Sequence, residues 1–147
     1  MTFDGRSTPN IHARMWLSAA TSGSFANGTW SNFTGFNTDD GASTGFTYST
    51  GVVTFTVYGR VWFDLLARWD AGAGTRRGAR LLFNGDAYKE VVGGKATTSE
   101  EVTSDCQDIF DVQPGDTVTM QGWQNSGGSL SALGGTRHQT SFRIERV

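Results

Sequence analysis

One cysteine in 147 residues, Cys106, excludes an intrachain disulfide framework and a Cys-rich zinc site. It reads as a buried thiol, with an intermolecular bridge as the alternative. Histidine is nearly as scarce: His12 and His138 are the only two, and neither lies in a nucleophile motif, so a Ser-His pair is disfavoured. No apolar run approaches the length of a membrane span, and the opening MTFDGRSTPN has no apolar core of signal-peptide length. The expectation is therefore a soluble chain that is not exported. Charged residues make up 18%, below the usual share of about 25%, and the net charge of −2 offers no basic footprint for nucleic acid or an acidic membrane. Helical periodicity is missing throughout, and so is any repeat of fixed period, which argues against a propeller or solenoid.

What the chain does have is glycine, 20 residues against 2 prolines, together with Thr, Ser and aromatics in short alternating runs. That composition indicates an all-β protein with many turns. The organising stretch runs from Gly51 to Gly85. Read at period two, it puts Val61, Phe63, Leu65, Ala67 and Trp69 on one face and Arg60, Trp62, Asp64, Leu66, Arg68 and Asp70 on the other. Residues 77–84 repeat the pattern, with Ala79, Leu81 and Phe83 against Arg80, Leu82 and Asn84, and the Ala-Gly-Ala-Gly-Thr of 71–75 predicts a long hairpin between the two. Trp62, Leu66 and Leu82 are apolar residues on polar faces, and Trp123 is a fourth. They imply a second buried surface, either another sheet or another subunit.

Further strands are predicted at Ile11–Ala20, around Trp30–Phe36, across the Ser49-Thr50-Gly51 turn, at Ala87–Val92 behind the Asn84-Gly85 turn, and at Val102–Val112, Thr117–Gln124 and Thr140–Val147. In the run Val102, Ser104, Cys106, Asp108, Phe110, Val112 the aspartate is out of pattern, which predicts a bulge. About ten strands without a helix leave a sandwich or barrel, in a single domain over 11–147 preceded by a polar arm at 1–10.

Candidate chemistry is thin. Asp39-Asp40, Glu100-Glu101, Asp105, Asp108 and Asp111 supply carboxylates, but sequence does not set two of them across a cleft as glycoside hydrolysis requires. Asn37, Asp39 and Asp40 before Gly41 loosely suggest calcium ligands; without the twelve-residue ligand pattern they read as an ordinary turn, with calcium kept as the alternative. No catalytic or cofactor-binding residue is assigned, and the chain is expected not to be an enzyme.

In order along the chain, RGARLLFNG (77–85), VQPGDTV (112–118), QNSGGSL (124–130) and the closing SFRI (141–144) resemble the complement C-one-q-like branch of the tumour-necrosis-factor-like family, particularly its bacterial and bacteriophage members. The resemblance covers roughly residues 30–147. One departure is Val61, which stands two residues after Gly59 where the family usually has an aromatic. The resemblance implies a ten-stranded jelly-roll β-sandwich whose protomers pack around a threefold axis; the outward Trp62, Leu66, Leu82 and Trp123 then read as the trimer interface, with the other sheet of the sandwich as the alternative cover. It further implies a virion structural protein of a tailed bacteriophage, a head decoration or minor tail protein. Residues Thr2, Phe3, Asp4 and Arg6 would belong to the arm that attaches it to capsid or tail proteins, and a host-surface glycan is a further partner. A bacterial adhesin or carbohydrate-binding module of the same fold is the alternative.

Overall fold

A computed structural model describes residues 10–17, 24–39, 44–72, 76–93, 101–136 and 139–147, with side chains omitted for 37–39. The described strands are β1 (His12–Leu17), β2 (Ser24–Phe25), β3 (Ser31–Asn32), β4 (Phe36–Asp39), β5 (Phe46–Ser49), β6 (Val52–Phe55), β7 (Gly59–Trp69), β8 (Arg77–Phe83), β9 (Asp86–Gly93), β10 (Val102–Val112), β11 (Thr117–Gln124), β12 (Leu130–Ser131) and β13 (Ser141–Arg146). Three of these are two residues long. No helix occurs among the described residues.

Two sheets face each other. The first has the order β10-β7-β13-β1-β4, and the second β5-β6-β11-β8-β9 with β3 added beside β11. Every pairing is antiparallel. The period-two alternation carries through: Val61, Phe63, Leu65, Ala67 and Trp69 of β7 are fully buried, as are Ala79 and Leu81 of β8, Val118 and Met120 of β11, and Ile144 of β13. Phe83 is only partly buried and packs against the core from its margin.

The core is aromatic where the sheets meet. Phe63 stacks on Phe142 at 5.7 Å, Phe142 meets Phe36 edge-on at 5.0 Å, and Phe25 meets Trp69 at 4.9 Å. Trp69 reaches across from the first sheet and lands on Gly122 of the second, where a Cβ would come within 2.7 Å of both Trp69 Cη2 and Phe33 Cζ. Its indole N–H donates to the buried Ser104 hydroxyl at 3.2 Å, so a polar atom is sealed in at no cost in unmet hydrogen bonds.

Both tight hairpins form as read. Asn84 and Gly85 (φ 50° and 87°) and Thr50 and Gly51 (φ 48° and 85°) each place two successive residues in the left-handed region, the signature of a type I′ turn whose twist matches the flanking strands. Asn84 also donates from its amide to Asp116 at 3.0 Å and accepts from the Thr117 N–H at 2.9 Å, tying this turn to the Pro-Gly-Asp turn of the VQPGDTV run. Cys106 is buried and free, its thiol donating to the Lys89 carbonyl at 3.5 Å.

Two expectations are corrected. Residues 59–69 and 77–83 do not pair: β7 lies between β10 and β13, whereas β8 lies between β11 and β9, and the glycine-rich link carries the chain from one sheet to the other. Alternation reports which side chains point inward, and it is identical for two strands side by side and two strands face to face. The bulge expected at Asp108 is also absent, since β10 pairs with β7 in unbroken register from Val102↔Trp69 to Val112↔Gly59. Asp108 keeps an inward position by turning its carboxylate back onto the Ile109 N–H at 2.8 Å.

Candidate functional site

The sandwich has two outward faces, and they differ in kind. On the first sheet the outward row of β7 is Arg60, Trp62, Asp64, Leu66 and Arg68. Its ends are tied to neighbouring strands by ion pairs: Arg60 makes a two-point contact with Asp111 at 2.9 and 3.1 Å, and Arg68 meets Glu101 at 2.6 Å. Its middle is mixed: Trp62 and Leu66 flank Asp64, with Ile109, Gln107 and Asp105 of β10 on one side and Glu145, Arg143 and Ser141 of β13 on the other. Trp62 is partly buried and pairs across the strands with Ile109, which is 48% exposed. The Trp62 indole N–H donates to Gln107 at 3.2 Å, and the Arg143 guanidinium lies 5.2 Å from its ring centre.

Asp64 stands in that middle, half-buried, with Oδ1 shut off from water and lacking a hydrogen-bond partner. Burial, reinforced by a hydrogen bond and repulsion from Asp105, pushes its pKa up to about 7 against the opposing pull of Arg143. Asp64 therefore gives up its proton at a higher pH than an ordinary carboxyl does. A strongly shifted carboxylate also marks a site candidate, but Asp64 and Asp105 line neither of the clefts described next.

On the second sheet the outward positions of β8 are Gly78, Arg80 and Leu82, paired with Trp123, Gln121 and Thr119 of β11. Trp30, just ahead of β3, folds back over this face. Its ring edge lies where Gly78 lacks a side chain: a Cβ at 78 would come within 3.1 Å of Trp30 Cη2 and 3.0 Å of Val92 Cγ2. Arg80 covers the indole at 4.4 Å from its centre and is fixed by Gln121, whose Oε1 accepts from Arg80 Nε at 2.8 Å. Trp123 stands beside Trp30, ring centres 6.4 Å apart. Trp30, Trp123, Arg76, Glu90 and Val92 line an open cleft of about 350 Å³.

A second cleft of about 400 Å³ lies at another edge, lined by Tyr58, Phe83, Asn84, Asp111, Val112, Gln113 and Asp116. Its carboxylates are engaged. Asp111 is held by Arg60, which keeps its pKa low, and Asp116 accepts from the Gln113 N–H and the Asn84 amide at 3.0 Å each. This cleft is turn architecture.

The four residues read as one interface are thus divided. Trp62 and Leu66 lie on the outer face of the first sheet, Leu82 and Trp123 on the outer face of the second. The physical reason is the sheet-to-sheet crossover between β7 and β8. Sequence reasoning missed Trp30, Arg76, Arg80 and Glu90 as a group; the gap that Gly78 leaves in an otherwise bulky outward row was the available signal. Of the calcium candidates, Asn37 and Asp39 fall in β4, while their side chains and Asp40 lie outside the described residues, as do His138 and the arm residues Thr2, Phe3, Asp4 and Arg6. Among the described residues no group of three or more His, Cys, Asp or Glu side chains comes together to hold a metal.

The sequence matches no protein-family model and no curated protein. Solved structures do resemble it. Eiger TNF from S. frugiperda superposes with a TM-score of 0.71 at 12% identity, covering 95% of this chain and 93% of its own. The fold is a tumour-necrosis-factor-like jelly roll. Murine APRIL (TM-score 0.68, 9% identity, 94% of this chain and 99% of that one) and the globular domain of zebrafish complement 1qA (0.63, 16%, 93% and 97%) share it. The jelly-roll sandwich expected from the motifs is therefore the fold observed.

Proposed function

We propose that this jelly roll is a non-enzymatic homotrimer and a structural protein of a tailed bacteriophage particle, carried as a head decoration or minor tail protein. The observation that carries the assembly is the outer row of β7. Trp62, Leu66 and the neighbouring Ile109 give this face an aromatic and aliphatic anchor among polar and ion-paired side chains, the mixture found in protein–protein interfaces. Trp62 is its anchor, since tryptophan is the residue type most enriched at interface hot spots. The threefold arrangement comes from the resemblance in sequence and fold. The virion role rests on the phage-type order of RLLFNG, PGDTV and QNSGG, and residues 1–10 serve as the attachment arm, adding main-chain hydrogen bonds to a neighbouring sheet edge.

Two experiments test this reading. Sedimentation equilibrium of the full chain should give three times the 15.9 kDa of one protomer, and a monomer at micromolar concentration would sink the assembly. Mass spectrometry of purified phage particles should find the chain, and deletion of residues 2–9 should leave trimers intact while emptying the particles of it. Particles that keep the truncated protein at full occupancy would place attachment in the jelly roll instead.

A further inference from the structure

The cleft on the second sheet is built from parts that serve no evident purpose in the fold. Trp30 gives up a place in the core to lie on the outside, and Gly78 gives up a side chain to seat it. The arrangement is held rigid from below. Arg80 is clamped between Trp30 and Gln121, the Gln121 amide donates to Asn32 Oδ1 at 2.8 Å, and Asn32 donates to the Thr50 carbonyl at 3.3 Å. At the end of the cleft the 124–128 loop is fixed by the buried Gln124, which donates to the carbonyls of Phe25 and Gly128 at 2.9 and 2.8 Å and accepts from the Ser126 N–H. The next residue, Asn125, accepts from the Arg76 N–H at 2.8 Å and so sets the root of the Arg76 side chain at the cleft. A preorganised cluster of this kind binds with little ordering cost.

We infer that this cleft binds a saccharide, taking one or two pyranose rings. The chemistry of the lining selects that class. Trp123, the part of Trp30 that Arg80 leaves uncovered and the Val92 methyls offer apolar surface to the C–H faces of a sugar ring, and the polar groups are of both kinds that hydroxyls need. Arg76 donates. Glu90 accepts, because its contact with Arg80 is a 3.8 Å ion pair that leaves its carboxylate, on a side chain 46% exposed, with lone pairs to spare. A quaternary ammonium ligand would also favour indoles and a carboxylate, but Arg76 and Arg80 put positive charge where such a cation would sit. The net charge of −2 opposes nucleic acid. A volume of about 350 Å³ is at the small end of ligand sites, which run about 300–1,000 Å³, and suits a mono- or disaccharide. The inference needs the fold alone and is independent of the trimer and virion readings.

The test is a titration of the full chain with glucose, galactose, N-acetylglucosamine, lactose, cellobiose and chitobiose, with tetramethylammonium as the competing probe. Indole N–H signals in a heteronuclear NMR spectrum report it, assigned with single Trp→Phe variants. At least one sugar should shift the Trp30 and Trp123 signals saturably while those of Trp62 and the core residue Trp69 stay still. Glu90→Gln, a change on an exposed strand that leaves the fold intact, should weaken that binding by about tenfold or more, the factor for one hydrogen bond to a charged group. Trp123→Ala should abolish it. Three results would overturn the inference: no sugar moving these two signals, equal binding by Glu90→Gln and wild type, or a tetramethylammonium response stronger than any sugar's. Failure here leaves the sedimentation result untouched, so the two readings fall separately.

Discussion

The outer faces of the two sheets begin from the same rule and end as different surfaces. Each strand buries alternate side chains and turns the rest outward, and both faces carry outward tryptophans, Trp62 on β7 and Trp16 on β1 of the first sheet and Trp123 on β11 of the second. Around Trp62 the neighbours are Ile109 and Glu145 on the flanking strands, Asp64 and then Leu66 along β7, and the Arg143 guanidinium over the ring. Around Trp123 they are uneven, because Gly78 opens a gap that Trp30 bridges and charged groups surround. A strand face anchored by an aromatic among ion-paired side chains suits a protein partner, and a notched aromatic floor with charged walls suits a small polar ligand. Gly78 on one face and the Trp62–Asp64 pair on the other separate the two outcomes.

The largest effect that would break this contrast is on assembly. Trp62→Asp should convert the trimer wholly to folded monomer, as read by light scattering and circular dichroism, whereas Trp123→Asp should leave it a trimer. If both dissociated it, the second face would share the interface. Next comes the core that both faces stand on. Phe63 is fully buried and stacked on Phe142, so Phe63→Ala should cost about 3–5 kcal/mol. Phe83, partly buried beside Phe110 at 5.2 Å, should cost about 1–2 kcal/mol on truncation. Equal shifts of the two denaturant midpoints would contradict the burial difference.

A smaller effect sharpens the first face. Asp64 has a folded pKa of about 7, raised by burial and by Asp105 and opposed by Arg143, against about 3.9 unfolded. Folding therefore favours the protonated form. Its contribution is fully present below about pH 4 and is lost as pH rises through about 7. Denaturant midpoints at fixed protein concentration should fall across that window in the wild type and much less in Asp64→Asn; identical profiles would remove Asp64 from the account. The smallest effect is at the rim. Arg68 and Glu101 are paired at 2.6 Å but both remain about two-fifths exposed, so Arg68→Ala should cost under about 1 kcal/mol. Cys106, whose thiol burial pushes up to about 12, should resist alkylation at neutral pH until the chain unfolds.

The inward sets of β7, β8, β11 and β13 were legible in the sequence because period-two alternation is local. Asn84-Gly85 was legible as a turn because few residue pairs accept two left-handed conformations in succession. Pairing was not legible. Whether β8 lies beside β7 or across from it depends on β10, β11 and β13, which come later in the chain, and a glycine-rich link accommodates either course. For the same reason the outward residues could be recognised one by one but not sorted between faces. Trp30 was hidden by its position outside any long alternating run; only the seat at Gly78, an outward position with no side chain, shows why an indole belongs there.

The contrast between the faces is tested most directly by hydroxyl-radical footprinting of the intact wild-type protein at micromolar concentration, with oxidation at each tryptophan read by mass spectrometry. Trp69 serves as the buried reference. The account predicts that Trp62 is protected nearly as well as Trp69 while Trp30 and Trp123 are oxidised readily. Oxidation of Trp62 at the same rate as Trp123 would mean that neither face is covered, and the division of labour proposed for them would be wrong.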